Sequence, residues 1–183
     1  ESIRPEEVQL LFNSLLGKRL FVRKRQFYIE IRYAMASCIY HKKGNLLEMM
    51  IKNFAYLIKE YGHIPNANRT YFLSRSQPPF FCSLLQLLER VRGMHAILPY
   101  LPALQKEYAY WMDGLANHTL NRPIAHKKTV RVEANVILNR YYDAKNEPRP
   151  ESFAEDVQLF WQAPDSCRAD LYRNLRSAAE SGW

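Results

Sequence analysis

The stretch NLLEMMIKNFAYLIKEYG, residues 45–62, is the clearest indicator of the fold in this sequence. Its apolar residues recur every three or four positions, which is the spacing of one face of an α-helix. The residues that follow this spacing are Leu46, Met50, Phe54, Leu57, Ile58 and Tyr61. Asn45 is a plausible N-cap with Glu48 as its capping-box partner, and Gly62 supplies the usual C-terminal stop. The pattern predicts an amphipathic helix over 45–61.

The same period recurs along the rest of the chain. It predicts further helices over 5–16, 79–92, 99–113, 152–161 and 167–180. Residues 129–142 change to an alternating pattern, which predicts a small β-hairpin turning at 133–135. The sequence therefore predicts an all-α protein with one minor hairpin, in a single domain.

Composition excludes several classes of protein. No apolar run approaches the roughly 18–20 residues that span a bilayer, so no membrane partner is expected. The three cysteines, at positions 38, 82 and 167, match no zinc or redox motif, and no two of the five histidines stand at i, i+4 spacing. We expect no metal site and no cofactor.

The net charge of +8 is concentrated in one short segment. Residues 17–43 hold eight basic residues and one acidic residue, Glu30. A basic helical module that binds nucleic acid is therefore one alternative. No recognised binding motif accompanies the segment, so we expect no nucleic-acid partner.

Polar residues gather in two loops, 63–78 and 147–151, and at the C-terminus. Arginine, asparagine, glutamine and glutamate offer forked donors and acceptors that can hold two adjacent sugar hydroxyls. The residue types alone leave open that Arg149 and Glu151 merely pair at a surface. Asp156, on the helix that follows, is expected to face solvent.

Four long strings stand out, GHIPNANRTYFLSRSQPPFF (62–81), LQKEYAYWMDG (104–114), LNRYYDAKNEPRPESFAEDV (138–157) and LYRNLRSAAESGW (171–183). They resemble the trehalases, an inverting family of glycoside hydrolases. The resemblance covers 44–183. It implies that the chain is part of an (α/α)6 barrel, and that residues 1–183 form a partial catalytic domain.

The resemblance also implies which residues bind the substrate, trehalose. They are Asn66, Arg75, Ser76, Gln77, Arg149, Pro150, Glu151 and Gly182. The family hydrolyses α,α-trehalose to two glucoses, with one carboxylic acid protonating the leaving oxygen and one carboxylate activating water. We expect the acid directly after Trp183 and the base further on, so neither catalytic residue lies in the chain and the isolated chain is expected to be inactive.

Segment 17–43 departs from the family, because a glycine- and tryptophan-containing signature expected there is absent. Our hypothesis is that this segment is divergent or translated out of frame. An inactive remnant therefore remains an alternative to a working enzyme section. The string Pro148 to Ser152 leans towards the periplasmic trehalases over the cytoplasmic ones, and the full-length enzyme is expected to be a monomer.

Overall fold

The computed structural model describes residues 44–67, 69–118, 124–133 and 136–182, which are mostly helical. The α-helices are α1 (Gly44–Tyr61), α2 (Phe81–Arg92), α3 (Leu101–Trp111), α4 (Phe153–Gln162), α5 (Asp165–Arg168) and α6 (Leu171–Ser181). The strands are β1 (Ile124–His126), β2 (Thr129–Glu133) and β3 (Val136–Asn139). The predicted fold class is confirmed, because a mainly helical chain with a small antiparallel sheet is consistent with part of a helical trehalase-type barrel. Segment 17–43 and Trp183 lie outside the described residues.

Within the described residues every predicted helix is present, with differences at the ends. The helix predicted over 5–16 lies outside those residues. The helix predicted over 167–180 is observed as two helices, α5 and α6. The capping box predicted for α1 is wrong, because Asn45 lies inside the helix. Its side-chain oxygen and the carboxylate of Glu48 instead accept hydrogen bonds from Arg92. The contact with Arg92, a residue distant in sequence, therefore takes the place of the predicted capping contact between Asn45 and Glu48.

The described residues fall into two compact units. The first, which we call the helical unit, comprises 44–64 and 77–111. The second, which we call the polar unit, comprises 65–76 and 112–182. Within the described ranges, no helix combines the length and the apolar character that crossing a bilayer requires.

The helical unit is built around an apolar core from α1, α2 and α3. The buried residues of α1 are Leu47, Ile51 and Ile58, which lie at helical spacing. The predicted face is only partly correct, because it includes Ile58 but also Leu46 and Tyr61, which are exposed. Gly62 has φ of +83°, which suits glycine, and its N–H donates to the carbonyl of Ile58 at 2.8 Å. The remaining core residues are Ile64, Phe81, Cys82, Leu84, Leu85, Leu88, Ile97, Tyr100, Leu101 and Leu104.

Glu107 on α3 is a carboxyl group inside this helical unit. It is 0% exposed, and neither of its carboxyl oxygens has a hydrogen-bond partner among the described residues. Burial raises the pKa of Glu107 to about 8, because the charged form loses its hydration without a compensating partner. The group is therefore neutral in the folded protein at pH 7.

The polar unit contains the sheet, whose strands pair in the order β1-β2-β3 and are antiparallel. The predicted hairpin corresponds to β2 and β3, while β1 was not predicted. The burial of its faces is unusual: Thr129 and Arg131 are buried, whereas Val132 and Val136 are about 40% exposed. The alternation therefore predicts the strands correctly but does not indicate which face is buried.

Glu107 generates a prediction about stability and pH. An unfolded glutamate has a pKa of about 4.3, so between about pH 4 and pH 8 the folded chain holds a proton that the unfolded chain has lost. The free energy of unfolding therefore falls as the pH rises through this range. We expect Glu107→Gln to remove that decline, with a gain relative to wild type on the order of 3 kcal/mol larger at pH 8 than at pH 5.

Urea unfolding of the chain at the two pH values measures this difference. Glu60→Gln is the matched control, because Glu60 is an exposed glutamate of the same unit and its substitution should leave the pH dependence unchanged. Parallel pH profiles for wild type and Glu107→Gln would show that Glu107 is not the group responsible.

Gly114 generates a second prediction. It has φ of +104°, and a Cβ at this position would stand 2.2 Å from the carbonyl oxygen of His126 and 2.9 Å from Oγ1 of Thr129. Gly62 has a similar φ, but its nearest neighbour, Tyr110, is 4.0 Å away. We expect Gly62→Ala to cost about 1–2 kcal/mol from backbone strain, and Gly114→Ala to cost a further 1–3 kcal/mol or so from the clash. Thermal unfolding of both variants tests this, and equal losses would contradict it.

Candidate functional site

The candidate site begins with a short ladder in the first polar loop. The N–H of Asn66 donates to the carbonyl of Arg75 at 2.8 Å, and Pro65 and Ser76 form an antiparallel bridge. A 3-10 turn, Thr70–Phe72, closes the loop between the two ends. The ladder therefore fixes Arg75 and Ser76 beside Asn66.

Arg75 forms an ion pair with Glu151, which belongs to the second polar loop. The Arg75 side chain is 8% exposed and that of Glu151 is 19% exposed. The Arg75 guanidinium also lies 5.4 Å from the ring centroid of Phe72, a cation–π distance. Two residues that the sequence assigns to different motifs are thus in direct contact.

Arg149 is held by a neighbouring carboxylate, that of Asp156 on α4. Nε and Nη2 of Arg149 donate to Asp156 at distances between 2.6 and 3.2 Å, and its backbone N–H donates at 2.9 Å. The alternative in which Arg149 pairs with Glu151 is wrong, since each has another partner.

Asp156 is 1% exposed, so the expectation that it faces solvent is also wrong. Burial by itself would raise the pKa of Asp156. The hydrogen bonds from Arg149, together with the charges of Arg149 and Arg75, outweigh that effect and hold the pKa below its usual value. The sequence indicated the burial of Asp156 only weakly, because an acidic residue in a first helical turn is common at surfaces.

A second buried pair lies in the same unit. Nε of Arg176 on α6 donates to Oδ2 of Asp143 at 2.9 Å, and Nη2 donates to Oγ of Ser74 at 3.1 Å. Burial lowers the pKa of Arg75, and the charges of Arg149 and Arg176 lower it further. These three guanidiniums and their carboxylates therefore form one charged cluster in the polar unit.

The remaining predicted residues occupy distinct positions. Ser76 is fully buried and bonded to Glu180, a residue that the sequence reasoning did not single out. Pro150 is exposed at the start of the 3-10 turn Pro150–Ser152. Gly182 ends α6 with φ of +88°. Gln77 belongs to the helical unit, where its N–H donates to the carbonyl of Ile64 at 2.7 Å.

The charged cluster can offer a ligand several hydrogen-bond donors and acceptors at once. Arginine forks and carboxylates held by ion pairs present donors and acceptors at fixed angles. Among the described residues, no three histidine, cysteine, aspartate or glutamate side chains gather as metal ligands.

The described fold and this cluster define a mainly helical protein with an arginine- and carboxylate-rich loop region. Residues 31–183 match the family model described as Trehalase, and the chain therefore belongs to the trehalase family. The match starts at residue 31, inside the segment predicted to diverge, and the division at residue 44 stays a prediction.

The similar proteins are named as periplasmic trehalases or putative ones. The chain is 50% identical over 134 residues to the periplasmic trehalase of Shigella flexneri and to that of Escherichia coli O1:K1, and these residues are 73% of this chain. It is also 50% identical to the putative periplasmic trehalase of Escherichia coli O157:H7. The matched residues cover 23–24% of these relatives, so the chain spans about a quarter of their length.

The Arg149–Asp156 pair generates a prediction about stability. Asp156→Asn keeps the shape of the side chain but leaves the half-buried guanidinium of Arg149 without its countercharge. We expect a loss of about 2–4 kcal/mol at pH 7. Because the pKa of Asp156 is lowered by folding, the advantage of wild type is complete above about pH 4 and disappears as the pH falls further.

Urea unfolding at pH 7 and at pH 3 measures both effects. Asp165→Asn is the matched control, because Asp165 pairs with Arg168 while its side chain is 92% exposed. It should change stability by less than about 0.5 kcal/mol. If wild type exceeds Asp156→Asn in free energy of unfolding by the same amount at both pH values, the ionised carboxylate of Asp156 is not the source of the stability.

Proposed function

We propose that this chain is a section of an enzyme that hydrolyses α,α-trehalose to two glucoses by an inverting mechanism. Membership of the trehalase family supports the reaction class. The relatives named periplasmic trehalase support the substrate. Since the chain spans about a quarter of their length, the activity belongs to a larger catalytic unit of which this chain supplies part of the sugar pocket.

The ion pair between Arg75 and Glu151 is the observation that carries the proposal. A guanidinium donates hydrogen bonds and a carboxylate accepts them, so the two side by side match the mixed donor and acceptor character of adjacent sugar hydroxyls. The pair also holds both side chains in place before the sugar arrives, which lowers the entropy cost of binding. Asn66, tied to Arg75 through the backbone, adds an amide to the same region.

Arg149 extends this binding surface. Asp156 engages Nε and Nη2 of Arg149, which orients the guanidinium and leaves its Nη1 edge for a ligand hydroxyl. Pro150 stiffens the loop between Arg149 and Glu151. In this proposal Ser76 adds to the pocket, and Gly182 contributes backbone at the end of α6.

The proton transfers are assigned to residues outside this chain. An inverting glycosidase needs one carboxylic acid at the leaving oxygen and one carboxylate that activates water on the opposite face of the sugar. The carboxylates of the charged cluster are committed to arginines, which suits binding and orientation more than proton transfer. The chain by itself is therefore proposed to release no glucose from trehalose.

We further propose that the protein acts in the periplasm, as the names of its relatives indicate for them. Release of the protein from cells by osmotic shock, with a cytoplasmic enzyme retained as the marker, tests the compartment. Retention with the cytoplasmic marker would contradict it.

A chimera tests the proposed reaction. The segment of the Shigella flexneri periplasmic trehalase that aligns with this chain is replaced by the residues of this chain, and glucose release from trehalose is measured. We expect the chimera to hydrolyse trehalose and Glu151→Gln in it to lower kcat/KM by about 10- to 100-fold, the value of one hydrogen bond to a charged group.

Glu147→Gln is the matched control, because Glu147 is a 59%-exposed glutamate of the same loop paired with Lys145. Its kcat/KM should stay within about twofold of the parent chimera, as for other exposed ion pairs. A folded chimera without activity would overturn the proposed function, and a Glu151→Gln chimera with parental kinetics would remove Glu151 from the pocket.

A further inference from the structure

Glu180 is a buried carboxylate that joins three separate segments of the polar unit. Its side chain is 0% exposed. Oε1 accepts hydrogen bonds from Oγ of Ser76 at 2.7 Å and from the backbone N–H of Ser76 at 3.2 Å. Oε2 accepts from the backbone N–H of Tyr142 at 3.1 Å. One side chain on α6 therefore binds the first polar loop and the segment that follows β3.

Lys128 supplies the countercharge from the segment before β2. Its Nζ lies 3.0 Å from Oε1 and 3.2 Å from Oε2 of Glu180, and it also donates to the carbonyl of Tyr142 at 3.0 Å. Burial lowers the pKa of Lys128, while the charge and hydrogen bonds of Glu180 oppose that change. A carboxylate buried this deeply is stable only because its donors surround it.

The position of Glu180 connects it to the proposed pocket. It lies in the last turn of α6, two residues before Gly182, and its partner Ser76 directly follows Arg75. One turn earlier on α6, Arg176 donates to Ser74 on the other side of Arg75. Two successive turns of α6 thus hold the residues on either side of Arg75.

We propose that Glu180 is a positioning residue for trehalose binding, which holds the Arg75 loop and the end of α6 in the arrangement that the sugar requires. This inference rests on the proposed function. Glu180 itself touches Ser76, Lys128 and Tyr142, so it acts on the sugar through the loop that carries Arg75. A small displacement of such a loop is enough to weaken a hydrogen-bonding site, because its bonds depend steeply on distance and angle.

The test uses the chimera described above with Glu180→Gln. Glutamine has the same shape, but it lacks the charge and one of the two acceptors that Ser76, Lys128 and Tyr142 share. We expect KM for trehalose to rise by at least about tenfold, on the scale of one hydrogen bond to a charged group. A variant that merely unfolds in part has fewer active molecules, which lowers the apparent kcat and leaves KM unchanged.

Glu180→Asp keeps the inference testable if the glutamine variant does not fold. Aspartate retains the charge opposite Lys128 but is one methylene shorter, so it cannot reach all its partners, and KM should again rise. Asp165→Asn, at an exposed ion pair, is the control with parental kinetics. A parental KM in the folded Glu180 variants would overturn this inference alone, whereas an inactive parent chimera would overturn the proposed function and this inference with it.

Discussion

Pairing of buried charges is the constraint on which the polar unit depends. Three of its carboxylates are almost completely buried, and each meets a cation. The pairs are Asp143 with Arg176, Asp156 with Arg149 and Glu180 with Lys128. Removing an ion from water costs several kcal/mol, which is recovered only when the partner and the hydrogen bonds are well placed. The loops of this unit are therefore confined to arrangements that bring these partners together.

The two units are held together internally by different forces. Apart from Pro65, all the buried apolar side chains among the described residues belong to the helical unit, where burial is non-directional and scales with area. The polar unit relies instead on directed hydrogen bonds and ion pairs. Directed bonds specify the position of a side chain closely, which suits loops that orient ligand-binding groups. Glu107 is the contrasting case, because its apolar surroundings keep it neutral instead of pairing it.

Periodicity was sufficient to predict the helices and the hairpin, because their spacing depends on neighbours within a few residues. It did not identify the buried face of α1, because Leu47 and Ile51 lie outside the predicted face and only Ile58 belongs to it. Their exact burial depends on packing against other elements. The capping prediction for Asn45 was wrong for the same reason, since a distant arginine competes for its side chain. The candidate residues Arg75 and Glu151 came from motif resemblance, and their roles as sugar ligands remain a proposal.

The sequence by itself determined the helical class, the positions of the two polar loops and the trehalase resemblance, because these properties reside in local spacing and in contiguous strings. Only the tertiary structure decided which charges pair. Ser76 and Glu180 are 104 positions apart, and no local pattern connects them. Asp156 has the sequence context of a surface residue, yet folding buries it against Arg149. Ion pairing at such separations is decided by how the segments pack, since a charge interacts with whatever the fold brings near it.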